Sequence, residues 1–219
     1  YYTHAPKTFA LDHSAAVMAR LTFGILAARE GNPLAQKLDA ALTALPALID
    51  TAIAAQIRAK NHQKTLLCLI PISRASVGNR ETIDFITHRL SSRNPAGHPL
   101  CFVFSEDTLT QLTSQAMEFS RQMRSLGCQI GLEDFGGGLS SFTHLRSISP
   151  SYVKLSRSLT RDLGGNRAST ALLRAVQEIT ADQNIHTIAD GIDDLNTLEQ
   201  LRGLGIDFAE GKAVAPSEP

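Results

Sequence analysis

Acidic side chains stand at or just after the ends of several short apolar segments of this chain. These residues are Glu106, Glu133, Asp134, Asp190 and Glu210. In barrel folds, carboxylates at the carboxyl ends of parallel strands supply the oxygen ligands and acid–base groups for metal and phosphate chemistry. The earlier apolar segments do not end on acidic side chains. A barrel that lacks carboxylates at these positions is more typical of a former enzyme than of a working one.

Strand-like and helical segments alternate from Leu66 to the end of the chain. The predicted strands are Leu66–Ile72, Leu100–Phe104, Gln129–Leu132, Tyr152–Leu155, His186–Ala189 and Ile206–Ala209. The predicted helices are Glu81–Leu90, Asp107–Leu126, Ser141–Ser147, Arg167–Ala181 and Leu195–Arg202. Strands that are apolar without alternation are buried on both faces, which indicates a parallel sheet covered by helices. The regular repetition favours a closed α/β barrel over a doubly wound sheet, since no glycine-rich dinucleotide fingerprint follows an early strand.

Composition and charge exclude several classes of protein. The 219 residues are 43% hydrophobic and 19% charged, which suits one globular domain spanning residues 1–219. Because 21 basic residues balance 21 acidic ones, no net charge recruits nucleic acid or an anionic membrane. No apolar stretch approaches the ~20 residues of a membrane span. The abrupt start, without a signal peptide, suggests a piece cut from a longer protein, which includes the case of the cytosolic part of a membrane-anchored one.

The three cysteines, Cys68, Cys101 and Cys128, lie in or beside apolar segments. Their odd number and wide spacing argue against a disulfide framework and against a zinc site. We therefore predict buried thiols and a reducing, cytoplasmic setting.

The second half of the chain contains four ordered motifs. They are Gly-Leu-Glu-Asp-Phe-Gly-Gly-Gly-Leu-Ser-Ser at Gly131–Ser141, Tyr-Val-Lys-Leu-Ser-Arg-Ser at Tyr152–Ser158, Ile188–Asp193 and Phe208–Gly211. In this order they resemble the Asp-Asp-Phe-Gly-Thr-Gly-Tyr-Ser-Ser, Leu-Lys-Ile-Asp-Arg-Ser, Ala-Glu-Gly-Val-Glu and Ala-Gln-Gly motifs of the EAL family. Members of that family are bacterial cyclic-di-GMP phosphodiesterases named for a Glu-Ala-Leu motif, which this sequence lacks.

The resemblance implies a (β/α)8 TIM-like barrel of the EAL type, in which the first strand runs antiparallel to the rest. It also implies a site at the carboxyl ends of the strands, where two divalent cations, Mg²⁺ or Mn²⁺, hold a phosphodiester and activate a water. Such a site needs several hard oxygen ligands in fixed positions.

The resemblance assigns roles to seven residues that remain from this site. Asp134 matches a metal-binding aspartate, and Glu133 matches its acidic neighbour. Lys154 matches the lysine that helps orient the attacking water. The others match acidic or amide positions of the motifs: Glu106 in the Glu-Ile-Thr-Glu strand end, and Asp190, Asp193 and Glu210 in the last two motifs. Because Lys154 lies inside an apolar strand, we expect its amine to pair with Asp134 or Glu133.

Other matched positions carry no oxygen-donor side chain. Val103 replaces the metal-binding glutamate of Glu-Ile-Thr-Glu, and Pro71 replaces an asparagine ligand. If His4–Lys7 matches the family's Tyr-Gln-Pro-Ile, then Ala19 replaces the signature glutamate and Phe23 replaces an arginine that meets the nucleotide. Each lost transition-state contact costs ~3 kcal/mol or more. These departures from the family motifs predict that this chain has no metal, no cofactor and no catalytic residue.

The sequence thus predicts a catalytically inactive EAL-like domain that serves as a regulatory or protein-interaction module in bacterial cyclic-di-GMP-type signalling. Its expected partners are another protein, flanking signalling domains or a second copy of itself, with no nucleic acid and no membrane contact. Two alternatives stay open: a non-hydrolysing receptor for cyclic-di-GMP, and a phosphodiesterase with residual activity.

Overall fold

Eight strands close into one barrel within the part of the chain that the computed structural model describes, with neighbours paired in chain order. The described residues are 7–10, 17–20, 45–46, 49–54, 56, 66–91, 100–137, 141–161, 163 and 167–214, of which 7–10, 17–20, 66 and 141 are described by their backbone alone. The strands are β1 (Lys7–Ala10), β2 (Val17–Arg20), β3 (Leu66–Ile72), β4 (Leu100–Ser105), β5 (Gln129–Phe135), β6 (Tyr152–Leu155), β7 (His186–Ala189) and β8 (Phe208–Glu210). β1 pairs antiparallel with β2 and with β8, and the other neighbours are parallel. The predicted α/β barrel class is confirmed.

The described helices follow the strands and cover the barrel. They are α1 (described at residues 45–46, 49–54 and 56), α2 (Arg74–Val77), α3 (Arg80–Ser91), α4 (Glu106–Gln111), α5 (Thr113–Ser125), α6 (Ser141–Ile148), α7 (Arg157–Thr160), α8 (Arg167–Asp182) and α9 (Leu195–Gly203). None of these helices is long and apolar enough to cross a bilayer.

The single helix predicted over Asp107–Leu126 is wrong, because two helices, α4 and α5, occupy this part of the chain. They meet at Leu112, whose φ of −129° and ψ of 40° are not helical. The break lets the half-buried Leu112 side chain pack against the core. The short helices α2 and α7 were not predicted.

The core has two layers that follow the alternation of β4. Phe102 and Phe104 point outward, where each meets Phe119 of α5 with its ring centroid 5.6 Å away in an edge-to-face arrangement. The alternate residues Cys101 and Val103 point inward. They belong to an inner cluster of buried apolar side chains, namely Leu67, Leu69, Cys101, Val103, Ile188 and Phe208. Such packing fills the barrel interior, and the three cysteines are buried free thiols, as predicted.

Candidate functional site

A small cavity of about 10 Å³, with room for about one water molecule, lies inside the barrel, and its walls bring together several of the residues singled out from the sequence. It is lined by Leu69, Pro71, Val103, Gly131, Leu132, Glu133, Tyr152, Lys154 and Ile188. These side chains come from β3 through β7, the strands whose carboxyl ends form the barrel mouth. Most of the lining is apolar, and Glu133 and Lys154 supply its charged groups.

Pro71 and Val103 occupy adjacent positions in this wall. The strand register aligns Pro71 of β3 with Val103 of β4, and Val103 with Gly131 of β5. Gly131 leaves room for its neighbours, because a Cβ at this position would lie 3.3 Å from Val103 Cγ2. Two neighbouring strands therefore present a proline ring and an isopropyl group to the cavity.

Two of the positions at which the family motifs imply a different residue, Ala19 and Phe23, lie near the start of the chain. Ala19 lies on β2, aligned with Lys7 of β1 on one side and with Cys68 of β3 on the other. Phe23 lies outside the described residues.

Lys154 is held by two carboxylates at the ends of the next two strands. Its Nζ lies 3.1 Å from Asp190 Oδ2 and donates a short hydrogen bond to Glu210 Oε1. Lys154 is 4% exposed and Glu210 is 2% exposed. The predicted pairing of Lys154 with Asp134 or Glu133 is wrong. The ladder between β5 and β6 shifts register after Leu132, and this irregularity takes the end of β5 out of line with Lys154.

Arg157 covers the outer side of this ion pair. Its Nε and Nη2 donate to the two oxygens of Asp190 at 3.2 and 3.3 Å, and its side chain is 65% exposed. We call these four residues, Lys154, Arg157, Asp190 and Glu210, the Lys154 cluster. Arg157 belongs to the Tyr152–Ser158 motif, but no role was predicted for it. Its position three residues after Lys154, at the start of the helix that follows β6, was the available signal.

The pKa values of the two acids of the Lys154 cluster are shifted in opposite directions. Burial alone would raise the pKa of Asp190, but the hydrogen bond it shares with Glu210, the charge of Lys154 and the hydrogen bonds from Arg157 hold that pKa well below its usual range. Burial raises the pKa of Glu210, and Asp190 adds to the rise while Lys154 opposes it. Asp190 is therefore the acid that keeps its charge, and Glu210 is the one that takes up a proton first.

The remaining predicted site residues lie outside these contacts. Glu106 begins α4, and its buried Oε1 has no hydrogen-bond partner among the described residues. Asp134 is exposed and adopts a left-handed φ of 59° at the end of β5. Asp193 is exposed, and its Oδ1 accepts the backbone N–H of Lys212 at 3.4 Å. Within the described part of the chain, no three His, Cys, Asp or Glu side chains are arranged to hold a metal ion.

A closed barrel with an antiparallel first strand and charged groups at the carboxyl ends of its last strands defines a protein of the TIM-barrel class. The chain belongs to the EAL domain family, whose sequence pattern matches residues 15–217.

Relatives and solved structures agree with this assignment. The chain is 28% identical over 150 residues to the cyclic di-GMP phosphodiesterase PdeB of Shewanella oneidensis, an alignment that covers 68% of this chain. The same alignment covers 18% of PdeB, so the chain spans less than a fifth of that relative's length. Its fold is similar to that of the FimX EAL domain of Xanthomonas citri in complex with c-diGMP, with a TM-score of 0.82, 24% identity and coverage of 100% and 88% of the two chains. The fold is also similar to that of the FimX EAL domain of Pseudomonas aeruginosa bound to c-di-GMP, with a TM-score of 0.73 and 20% identity. That alignment covers 98% of this chain and 89% of the FimX chain.

Proposed function

We propose that this EAL domain is catalytically inactive and works as a regulatory or protein-interaction module in bacterial cyclic-di-GMP-type signalling. The observation that carries the proposal is the aligned pair of Pro71 and Val103 in the wall of the barrel cavity. These are the positions at which the family motifs imply an asparagine and a glutamate ligand. Neither side chain offers an oxygen to a cation.

We infer that the residues at the barrel mouth do not fit a pair of divalent cations. Mg²⁺ and Mn²⁺ need several hard oxygen ligands, and a pair of them needs carboxylates to balance its charge. Water can replace one missing ligand, because Mg²⁺ keeps several waters in most sites. It cannot replace the negative charge that is missing where Val103 stands, nor the one missing at Ala19.

The contacts of Lys154 support the same conclusion from a second direction. A lysine that orients an attacking water must present its amine to that water. Here the amine is buried and paired with both Asp190 and Glu210. An ammonium held by two carboxylates has few hydrogen-bond directions left for a water.

A hydrolysis assay tests the proposal directly. The purified protein, at micromolar concentration with MgCl₂ or MnCl₂, should leave cyclic-di-GMP uncleaved over hours. The control is Asp134→Ala, which changes the exposed matched aspartate and should behave as the unmodified protein does. Turnover that Asp134→Ala abolishes would refute the proposal and establish a phosphodiesterase with a rearranged metal site.

A receptor for cyclic-di-GMP is the second candidate, because both FimX EAL domains with a similar fold are described in complex with this dinucleotide. Calorimetric titration with cyclic-di-GMP, with and without CaCl₂, separates the two candidates. Under our proposal no heat of binding appears at tens of micromolar protein. Saturable heat without hydrolysis would establish the receptor instead.

The proposed partner is a protein, a flanking domain or a second copy of this chain. Helix α8 offers a surface for such a contact, since Leu172 and Ile179 lie two turns apart on one side and are 40% and 36% exposed. Leu195 at the start of α9 is 68% exposed. We propose that these exposed side chains belong to the contact surface.

A further inference from the structure

We propose that the Lys154 ammonium is the permanent counter-ion of the Asp190–Glu210 carboxylate pair and prevents divalent metal ions from binding to this pair. The proposal rests on the proposed function in taking the barrel mouth to be non-catalytic. It adds a cause that is independent of the missing ligands at Pro71 and Val103. A site can lack ligands and still bind one cation, whereas acids that an ammonium and a guanidinium already neutralise attract a cation much less.

The charges of the Lys154 cluster balance without a metal. Asp190 and Glu210 carry two negative charges when ionised, and Lys154 and Arg157 carry two positive ones. The Lys154 Nζ contacts both acids, and Arg157 donates to both oxygens of Asp190. A divalent cation between the acids would have to displace the ammonium or leave an excess of two positive charges in a buried site, and buried excess charge is strongly unfavourable.

Glu210 is the residue that creates this arrangement. The motif it matches has a glutamine, so this chain has one more acid at the end of β8 than the family motif implies. A glutamine amide attracts an ammonium only as a dipole, whereas a carboxylate 2% exposed attracts it as a charge in a medium of low dielectric constant. The side chain of Lys154 therefore turns toward β8.

The Lys154 cluster also joins three neighbouring strands at the barrel mouth. Lys154 lies on β6 opposite Ile188 of β7, Asp190 directly follows β7, and Glu210 is the last residue of β8. The backbone supports this placement, because the Ile192 N–H donates to the Glu210 carbonyl at 3.0 Å. This backbone contact joins the ends of β7 and β8 without the lysine.

This arrangement predicts that removing the ammonium converts the acid pair into a cation site. The test compares thermal unfolding of the wild type, Lys154→Met and Lys154→Met/Glu210→Gln in EDTA and in increasing MnCl₂. We expect Lys154→Met to unfold about 10 °C below the wild type in EDTA, since it leaves buried acids without their partner. Its Tm should then rise with Mn²⁺ in a saturable way, because an ion bound by the folded state alone stabilises that state.

The double variant is the matched control. With a single carboxylate left it should recover part of the lost Tm and gain no Mn²⁺ response beyond that of the wild type. Two results would overturn the proposal: a Mn²⁺ response of Lys154→Met equal to that of the wild type, or a saturable rise in the wild type that Asp190→Asn removes. If Lys154→Met does not fold, Lys154→Gln replaces it with the same expectations. The comparison of the wild type with Asp190→Asn in MnCl₂ tests the proposal without either lysine variant.

The result is separable from that of the hydrolysis assay. A wild type that binds Mn²⁺ through Asp190 without cleaving cyclic-di-GMP overturns this inference and leaves the proposed function standing. Cleavage by the wild type refutes the proposed function whatever the response of the variants.

Discussion

The buried amine of Lys154 forms its ion pairs with Asp190 and Glu210, the acids at the ends of the two strands that follow it. That a lysine inside an apolar strand needs an acidic partner could be predicted from the sequence. Which acid it finds could not, because the answer depends on the register shift at the end of β5 and on the packing of β8 beside β7. Short-range sequence patterns carry no information on either.

The raised pKa of Glu210 and the lowered pKa of Asp190 give a pH dependence with a definite sign. Glu210 favours its protonated form in the folded state, so its contribution to stability falls as pH rises above ~4.3, the unfolded value. Asp190 contributes stability that is complete above ~3.9 and is lost as pH falls. Glu210→Gln should therefore match the wild type near pH 4 and become more stable than it toward pH 7, by about 1 kcal/mol for each unit by which the pKa is raised. Urea unfolding at pH 4, 5.5 and 7 measures this, and a stability difference that shrinks with pH would contradict the assignment.

Val103 is part of the inner cluster, so restoring an acid there should harm the fold. Val103→Glu places a carboxylate among Leu69, Ile188 and other apolar groups and should lower the free energy of unfolding by ~3 kcal/mol or more. Val103→Ala, which removes only packing, should lower it by about 1–2 kcal/mol. Urea unfolding with and without MnCl₂ compares the variants. Recovery of Val103→Glu to wild-type stability by Mn²⁺ would mean that the remaining ligands still form a cation site.

At the scale of elements, a serine at the end of β4 and serines directly after β3 and β6 cap the helices that follow these strands. Ser73, Ser105 and Ser156 each accept a backbone N–H from the first turn of α2, α4 and α7. Serine is a preferred N-cap residue, and reading it directly after a strand would have predicted the two short helices that were missed. Helices α3, α6, α8 and α9 were predicted to within one residue at each end, whereas β5 continues to Phe135 instead of ending at Leu132 and β8 starts at Phe208 instead of Ile206. The break at Leu112 arises from tertiary packing.

The turn after β8 depends on a glycine, and this gives a prediction for that element. Gly211 has a φ of 146°, and a Cβ there would lie 2.2 Å from the carbonyl oxygen of Ile192. The Ile192 oxygen accepts the backbone N–H of Ala213 at 3.0 Å, so this backbone cannot move away without losing a hydrogen bond. Gly211→Ala should lower the free energy of unfolding by ~3 kcal/mol or more. Gly203→Ala, at the end of α9 with nothing within 4 Å of the added Cβ, is the matched control and should be neutral or slightly stabilising. Equal unfolding midpoints for the two variants in urea would refute this account of the turn.

At the scale of the whole molecule, the barrel class and the family could be predicted from ordered motifs, and the consequence of the altered positions could not. Motif order fixes which strand carries which residue. It does not predict that Pro71 and Val103 line one apolar cavity, or that Lys154 pairs with Glu210. Those outcomes follow from the closure of the barrel, which brings residues 56 positions apart into contact.

The exposed apolar groups of α8 give a prediction for assembly. If a second copy of the chain covers Leu172 and Ile179, light scattering after size exclusion should report a dimer at tens of micromolar concentration. Leu172→Lys/Ile179→Lys should shift it to a monomer with unchanged Tm, because both residues lie on the surface. Thr143→Lys, an exposed change on α6, is the control. A monomeric wild type would leave another protein or a flanking domain as the partner of this face.

The most direct measurement is a diffraction experiment on crystals grown with MnCl₂ and cyclic-di-GMP, with data collected where manganese scatters anomalously. We predict no pair of manganese peaks at the barrel mouth. The side chains of Pro71 and Val103 offer no oxygen ligands, and Lys154 already pairs with Asp190 and Glu210. Two ordered ions about 3.5–4 Å apart, bridged by Asp134, would contradict the account.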